Sequence, residues 1–279
     1  MQMFPTKSLP KKFYLLGVVV IFLSVYSQYF IHYGSIIGYL VVYGVPVLVV
    51  SLILGRQLLQ RAAKNNEETA KFGLGLFGVL IAIGLLLSII ALAVITHFDP
   101  HAANLLNKPN PVLNVPPNVA WLMIPISILV VGPAEEHIFR GFVYGGLLRI
   151  SKGKYWLLLA VVSSVMFASV HAYYAFTYGV ASVLPFMDLI TFGLAMAITY
   201  YWSGGNLLVL ALIHGTYDAT GFLGVATTNQ IGKAAQFAMI FVGIGFAVVY
   251  LPKKISQMQK PAVPPETQTL SPSQNEPQI

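Results

Sequence analysis

Eight apolar stretches divide this chain, at about 13–33, 35–55, 73–97, 118–149, 156–177, 183–203, 205–226 and 231–251. Each is near or above the ~20 residues a helix needs to span the hydrocarbon core of a bilayer. Of the 279 residues, 57% are hydrophobic and only 9% charged, against roughly a quarter charged in soluble chains. A soluble domain of this make-up would have too little polar surface. The expected fold is therefore all-α, a polytopic membrane protein with about eight transmembrane helices and both termini cytoplasmic.

The basic residues test that topology. With both termini inside, Lys7, Lys11, Lys12, Arg56, Arg61, Lys64, Lys71, Arg149, Lys152, Lys154, Lys253, Lys254 and Lys260 sort to the cytoplasmic side. Only Lys108 and Lys233 fall outside, and Arg140 lies within a span. This is the asymmetry of the positive-inside rule. The same clusters flank apolar runs instead of lining one stripe, so no nucleic-acid partner is expected. There is no Cys, which excludes disulfides and thiolate chemistry and leaves helix packing to hold the fold.

Residues 1–252 read as one eight-helix domain, and 253–279, rich in Pro, Ser, Thr and Gln, as a disordered cytoplasmic tail. The first stretch is too long for a secretory h-region and lacks a small-residue cleavage site, so it is expected to remain as an anchor. The 98–117 loop is extracellular or lumenal in this topology and shows no chemistry. Within the fourth stretch, Gly132-Pro133 is expected to kink the helix just before a carboxylate pair.

That pair is the first sign of function. Ionisable groups at bilayer depth cost several kcal/mol unless paired, neutralised or facing a polar cavity. This chain nevertheless has Glu135, Glu136 and Arg140 in one span, His171 in the next, and His214 and Asp218 in another. With a rise of 1.5 Å per residue, Glu135, His171 and His214 lie roughly 20, 22 and 13 Å below the cytoplasmic ends of their helices, so all three reach one level. Residues four apart share a helix face, which pairs Glu136 with Arg140, Phe167 with His171, and His214 with Asp218. Glu135 points off the Arg140 pair and is the expected general base, with Glu136 as a structural carboxylate. His171 is expected to share the activated water.

These residues resemble the CAAX protease and bacteriocin-processing (CPBP, or Abi) family of intramembrane proteases, which includes the type II CAAX prenyl endopeptidases. Its motifs Glu-Glu-xxx-Arg, Phe-xxx-His and His-xxx-Asn/Asp occur here in order within about residues 132–218. The resemblance implies that Glu135 and His171 activate the attacking water and that His214 and Asp218 stabilise the oxyanion. Glu136, Arg140 and Phe167 are then supporting residues. It also implies a peptide or prenylated protein substrate, with C-terminal CAAX processing as one activity, and contact with membrane lipid. Relatives commonly have Asn at position 218, and an ionised Asp cannot donate to an oxyanion. Asp218 must be protonated, orient His214 as imidazolium, or help hold a cation. No cofactor is expected; if zinc is used, Glu135, His171 and His214 are its ligand set.

Two other classes fit a buried ionisable cluster, a proton-coupled transporter and a non-catalytic immunity or scaffold protein of the same fold. The absence of inverted repeats weighs against the transporter. His137 points about 100° away from its neighbour Glu136 and reads as supporting or lipid-facing. Asp188 reads as interfacial or helix-capping, and the Tyr-rich 173–178 and 200–202 stretches as aromatic belts. His32, His97 and His101 receive no role. The expected location is the cell membrane of a prokaryote in preference to the endoplasmic reticulum.

Overall fold

The computed structural model describes residues 11–30, 40–54 and 66–259. Lys7, His32, Arg56, Arg61, Lys64, Lys260 and the rest of the tail lie outside the described residues. Among the described residues every regular element is helical, with no strand. The helices are α1 (Lys11–Ser27), α2 (Val45–Leu54, entered through a π-helical turn at Leu40–Gly44), α3 (Asn66–Phe98) and α4 (Pro117–Ile150). They continue with α5 (Trp156–Ser169), α6 (Tyr173–Tyr178), α7 (Val183–Trp202), α8 (Leu207–Ala226) and α9 (Asn229–Gln259). Five spans are long and apolar enough to cross a membrane: Asn66–Phe98, Pro117–Ile150, Tyr173–Trp202, Leu207–Ala226 and Asn229–Pro252. Tyr14–Ser27 and Trp156–Ser169 are shorter apolar helices. The molecule is an all-helical, multi-pass membrane protein.

Its inside and outside are arranged as hydrocarbon demands. Leu15, Leu23, Leu86, Ile89, Leu129 and Phe241 are exposed, as lipid-facing side chains should be, while Arg140 is the largest fully buried side chain. Phe77, Phe139, Phe142, Phe167 and Phe192 belong to the buried core, and the last two lie against that arginine.

Without a hydrophobic force between helices, close packing depends on small residues. A Cβ on Gly78 of α3 would lie 2.6 Å from the backbone nitrogen of Ile244 in α9. One on Gly132 of α4 would lie 2.7 Å from the Ala211 carbonyl and the Gly215 nitrogen in α8. One on Gly193 of α7 would sit 3.0 Å from Cα of Ser164 in α5. Each contact lets two backbones touch.

The chain departs from the expected pattern at three places. The 156–177 stretch is not one span: α5 ends at Ser169, and His171 lies in a turn before the short α6. There, His171 Nδ1 donates to the Phe167 carbonyl at 2.9 Å, the carbonyl that an α-helical N–H of residue 171 would face. The His171 N–H instead reaches Ala168 O at 3.0 Å. At the other end of the chain, α9 continues through Lys253 and Lys254 to Gln259, into the segment expected to be tail. Finally, the 98–117 loop is folded: Ala102–Asn107 forms a 3₁₀-helix with Ala102 fully buried, and Leu113 covers Gly221 of α8.

The carboxylate helix α4 bears two prolines beyond its first residue, Pro125 and Pro133, and continues through both. Proline removes an N–H and clashes with the carbonyl four residues back. The helix answers by widening. Ser127–Val131 is π-helical, with the Gly132 N–H reaching Ser127 O, and His137–Tyr144 is π-helical again. Glu135 and Glu136 lie on the α-helical turn between these stretches, where π-bulges commonly accompany functional sites.

Candidate active site

The close approach at Gly132 and Gly215 sets the geometry of the charged cluster. Glu136 is one turn beyond Gly132, and His214 adjoins Gly215. Glu136 Oε1 therefore accepts from His214 Nδ1 at 2.6 Å, across 78 residues of sequence, and from Arg140 Nη1 at 2.9 Å. Arg140 Nη2 donates to the Gly193 carbonyl of α7 at 3.2 Å, and its guanidinium carbon lies 4.6 Å from the centre of the Phe167 ring. Glu136 and Arg140 have side chains 0% and 1% exposed, so this is a dry ion pair whose members depend on each other. Glu136 Oε2 and Arg140 Nε have no protein partner.

The other ring nitrogen of His214 faces the wetter side. Nε2 lies 3.6 Å from Glu135 Oε2 and 3.4 Å from Asp218 Oδ2. Side-chain exposure rises along this row, from 3% for His214 to 12% for Glu135 and 34% for Asp218. The cluster is closed at Arg140 and open at Asp218. An imidazole whose Nδ1 is fixed on a carboxylate presents a single orientation of Nε2, the arrangement that orients histidine in hydrolytic triads.

His171 joins through aromatic contact. Its ring lies 4.9 Å from that of Phe167, which in turn lies 5.8 Å from that of His214. It makes no ion pair with Glu135 among the described residues. Because Nδ1–H is given to the Phe167 carbonyl, the neutral ring has its lone pair on Nε2. His137 repeats the device, with Nδ1 donating to the Pro133 carbonyl at 2.6 Å. Asp188, expected to be interfacial or a cap, is not the N-cap of α7, a position held by Ser182. It lies inside α7 with Oδ1 3.5 Å from Ser88 Oγ of α3, joining two helices.

The zinc set does not assemble. Among the described residues no three His, Asp or Glu side chains are grouped as around a metal ion. His214 directs Nδ1 to Glu136 and His171 directs Nδ1 to a carbonyl, which leaves Nε2 as the available nitrogen of each ring.

Sequence spacing identified the helical neighbours Glu136–Arg140 and His214–Asp218. It missed the Glu136–His214 bond and the aromatic walls, above all Phe192, whose ring lies 4.7 Å from that of His214. The result is a polar, aromatic-lined cluster inside a helical membrane protein. Residues 117–220 match the family model described as type II CAAX prenyl endopeptidase Rce1-like. That interval begins at the first residue of α4 and ends two residues past Asp218, so it contains all three motifs. The family resemblance is thereby borne out over this segment. No curated protein and no solved structure matches it.

Proposed function

We propose that this chain is an intramembrane endopeptidase whose catalytic residues are Glu135, His171, His214 and Asp218. The observation that carries the reading is the fixed imidazole. His214 is held at Nδ1 by the buried Glu136–Arg140 pair, and its Nε2 is turned toward Glu135 and Asp218 on the accessible side.

In the reaction, Glu135 accepts a proton from water while the lone pair on His171 Nε2 helps orient it. The water oxygen attacks the peptide carbonyl carbon, and the carbonyl π electrons move to oxygen. His214, as imidazolium, donates from Nε2 to that oxyanion, with Asp218 stabilising its charge. Collapse of the tetrahedral intermediate expels the amine, which takes the proton from Glu135. No step needs a metal. Phe167 packs the Arg140, His171 and His214 side chains against one another.

The substrate we favour is a C-terminal CAAX peptide bearing a prenyl chain that lies among the helices in contact with lipid. Residues 1–252 form the protease domain, in a prokaryotic cell membrane with both termini cytoplasmic, as the sorting of Lys and Arg supports.

The test uses full-length protein in detergent, assayed on a farnesylated CAAX peptide and on a mixture of membrane peptides. Glu135→Ala and His171→Ala should remain folded and lose cleavage. Wild-type cleavage in both variants sinks the proposal, and proton flux in liposomes that disappears in Glu135→Gln would favour a transporter instead. Undiminished cleavage after exhaustive chelation, with metal content measured on the same sample, is expected.

A further inference from the structure

Helix α7 carries none of the three motifs, yet two consecutive residues of it touch both ends of the charged cluster. Gly193 presents its carbonyl to Arg140 Nη2 at 3.2 Å. A helical carbonyl has two lone pairs, so it can accept from the guanidinium as well as from its own helix. The glycine is needed for reach, because a side chain here would press on Ser164 of α5 and push α7 outward.

Phe192 holds the other end. Its ring lies 4.7 Å from the His214 ring with planes at 64°, 5.9 Å from Phe167, and 5.8 Å from Tyr217 in a stacked arrangement. The Arg140 guanidinium carbon is 6.0 Å from its centre. Phe77 of α3 closes on it edge-to-face at 6.1 Å, so the ring cannot drift from the cluster. It is 4% exposed. His214 is thus confined by two aromatic rings and by the Glu136 carboxylate at Nδ1, with Nε2 as its working edge.

We infer that Phe192 and Gly193 form a positioning clamp for the reaction, with the Gly193 carbonyl setting Arg140 and the Phe192 ring setting His214. The electron-rich face of an aromatic ring attracts a cation. A ring within reach of both Arg140 and the His214 imidazolium therefore does more than fill space: it favours the protonated, correctly turned His214. An aliphatic residue of similar volume fills the cavity without that attraction.

This inference rests on His214 acting in peptide hydrolysis, and the experiment separates the two. Full-length protein is assayed on the farnesylated CAAX peptide with Phe192 replaced by Leu, by Tyr, and by singly to fully fluorinated phenylalanine, alongside His214→Ala. Fluorination withdraws electron density from the ring face while nearly preserving its size, so this series remains informative if Phe192→Leu fails to fold. The expected result is a stepwise fall in kcat with fluorination, about tenfold at full substitution, with KM unchanged and thermal midpoints close to wild type. Phe192→Tyr should retain most of the activity that Phe192→Leu loses. Constant kcat across the fluorinated series, with His214→Ala inactive, overturns the clamp alone. A rise in KM at constant kcat would make Phe192 a substrate contact and also overturn it. Full activity in His214→Ala overturns the function on which the clamp depends.

Discussion

Gly78 of α3 touches Gly243 and Ile244 of α9, and Gly132 of α4 touches Ala211 and Gly215 of α8. The two contacts use one device, a missing side chain that lets backbones meet, and they differ in what lies within a turn of it. From residue 72 to 96 and from 234 to 252, α3 and α9 have no charged residue and no histidine. Near the α4–α8 contact stand Glu135, Glu136 and His214, and the same closeness produces a 2.6 Å hydrogen bond. Close approach alone gives packing. Close approach beside ionisable groups gives a site whose geometry is set by the backbone.

Glu135 puts the difference between these two helix pairs to its hardest test. Glu135→Gln keeps size and packing, and its side chain is 12% exposed, so folding should be unaffected. Loss of a general base, the role proposed for Glu135, costs about 10²–10⁴ in rate, and kcat on the farnesylated peptide should fall within that range. Next come the glycines themselves. Gly78→Ala and Gly215→Ala each overpack a backbone contact and should cost about 1–3 kcal/mol, read as lower thermal midpoints in detergent. Only Gly215→Ala should also lower kcat per folded molecule, by at least about tenfold, because it moves His214 from Glu136; a tenfold change corresponds to about 1.4 kcal/mol in the barrier. Equal loss of specific activity in Gly78→Ala would erase the distinction.

Asp218 probes the open side of the α4–α8 cluster. Its Oδ2 lies 3.4 Å from His214 Nε2 with the side chain 34% exposed, which makes it an ionic neighbour of the imidazole. A buried interaction with a charged group contributes about 1.5–3 kcal/mol, and exposure to solvent reduces it. Asp218→Asn should therefore cost about tenfold in kcat, far less than Glu135→Gln. Full tolerance would mean that the residue serves as a neutral donor.

The parts of this site visible in the sequence were those that hydrocarbon makes expensive. Glu135, Glu136, Arg140, His171, His214 and Asp218 stand out because apolar helices have few such residues, and i, i+4 spacing pairs Arg140 with Glu136 and Asp218 with His214. Spacing along one helix is blind to a partner on another, so the Glu136–His214 bond, set by Gly132 and Gly215, left no sequence signal. The end of α5 was equally hidden. Residues 156–177 read as one continuous stretch, and the turn that carries His171, with its ring nitrogen on the Phe167 carbonyl, left no mark in that pattern. Phe192 looked like any other core aromatic until α7 was packed against α8.

Asp188 gives the smallest expected effect and the clearest control. It is a carboxylate within the helices, like Glu135, but its partner is the Ser88 hydroxyl at 3.5 Å, and no Lys, Arg or His pairs with it among the described residues. Interhelical hydrogen bonds in membranes average only about 0.6 kcal/mol. Asp188→Asn preserves the contact, so the thermal midpoint should move by an amount equivalent to less than about 1 kcal/mol, and kcat should not change. Tyr217, next to Asp218 in the chain and stacked on Phe192 of α7, supplies the route by which this could fail. If Asp188→Asn lowers kcat as much as Asp218→Asn does, the working cluster extends through Tyr217 to α3, and the separation between packing helices and catalytic helices must be redrawn.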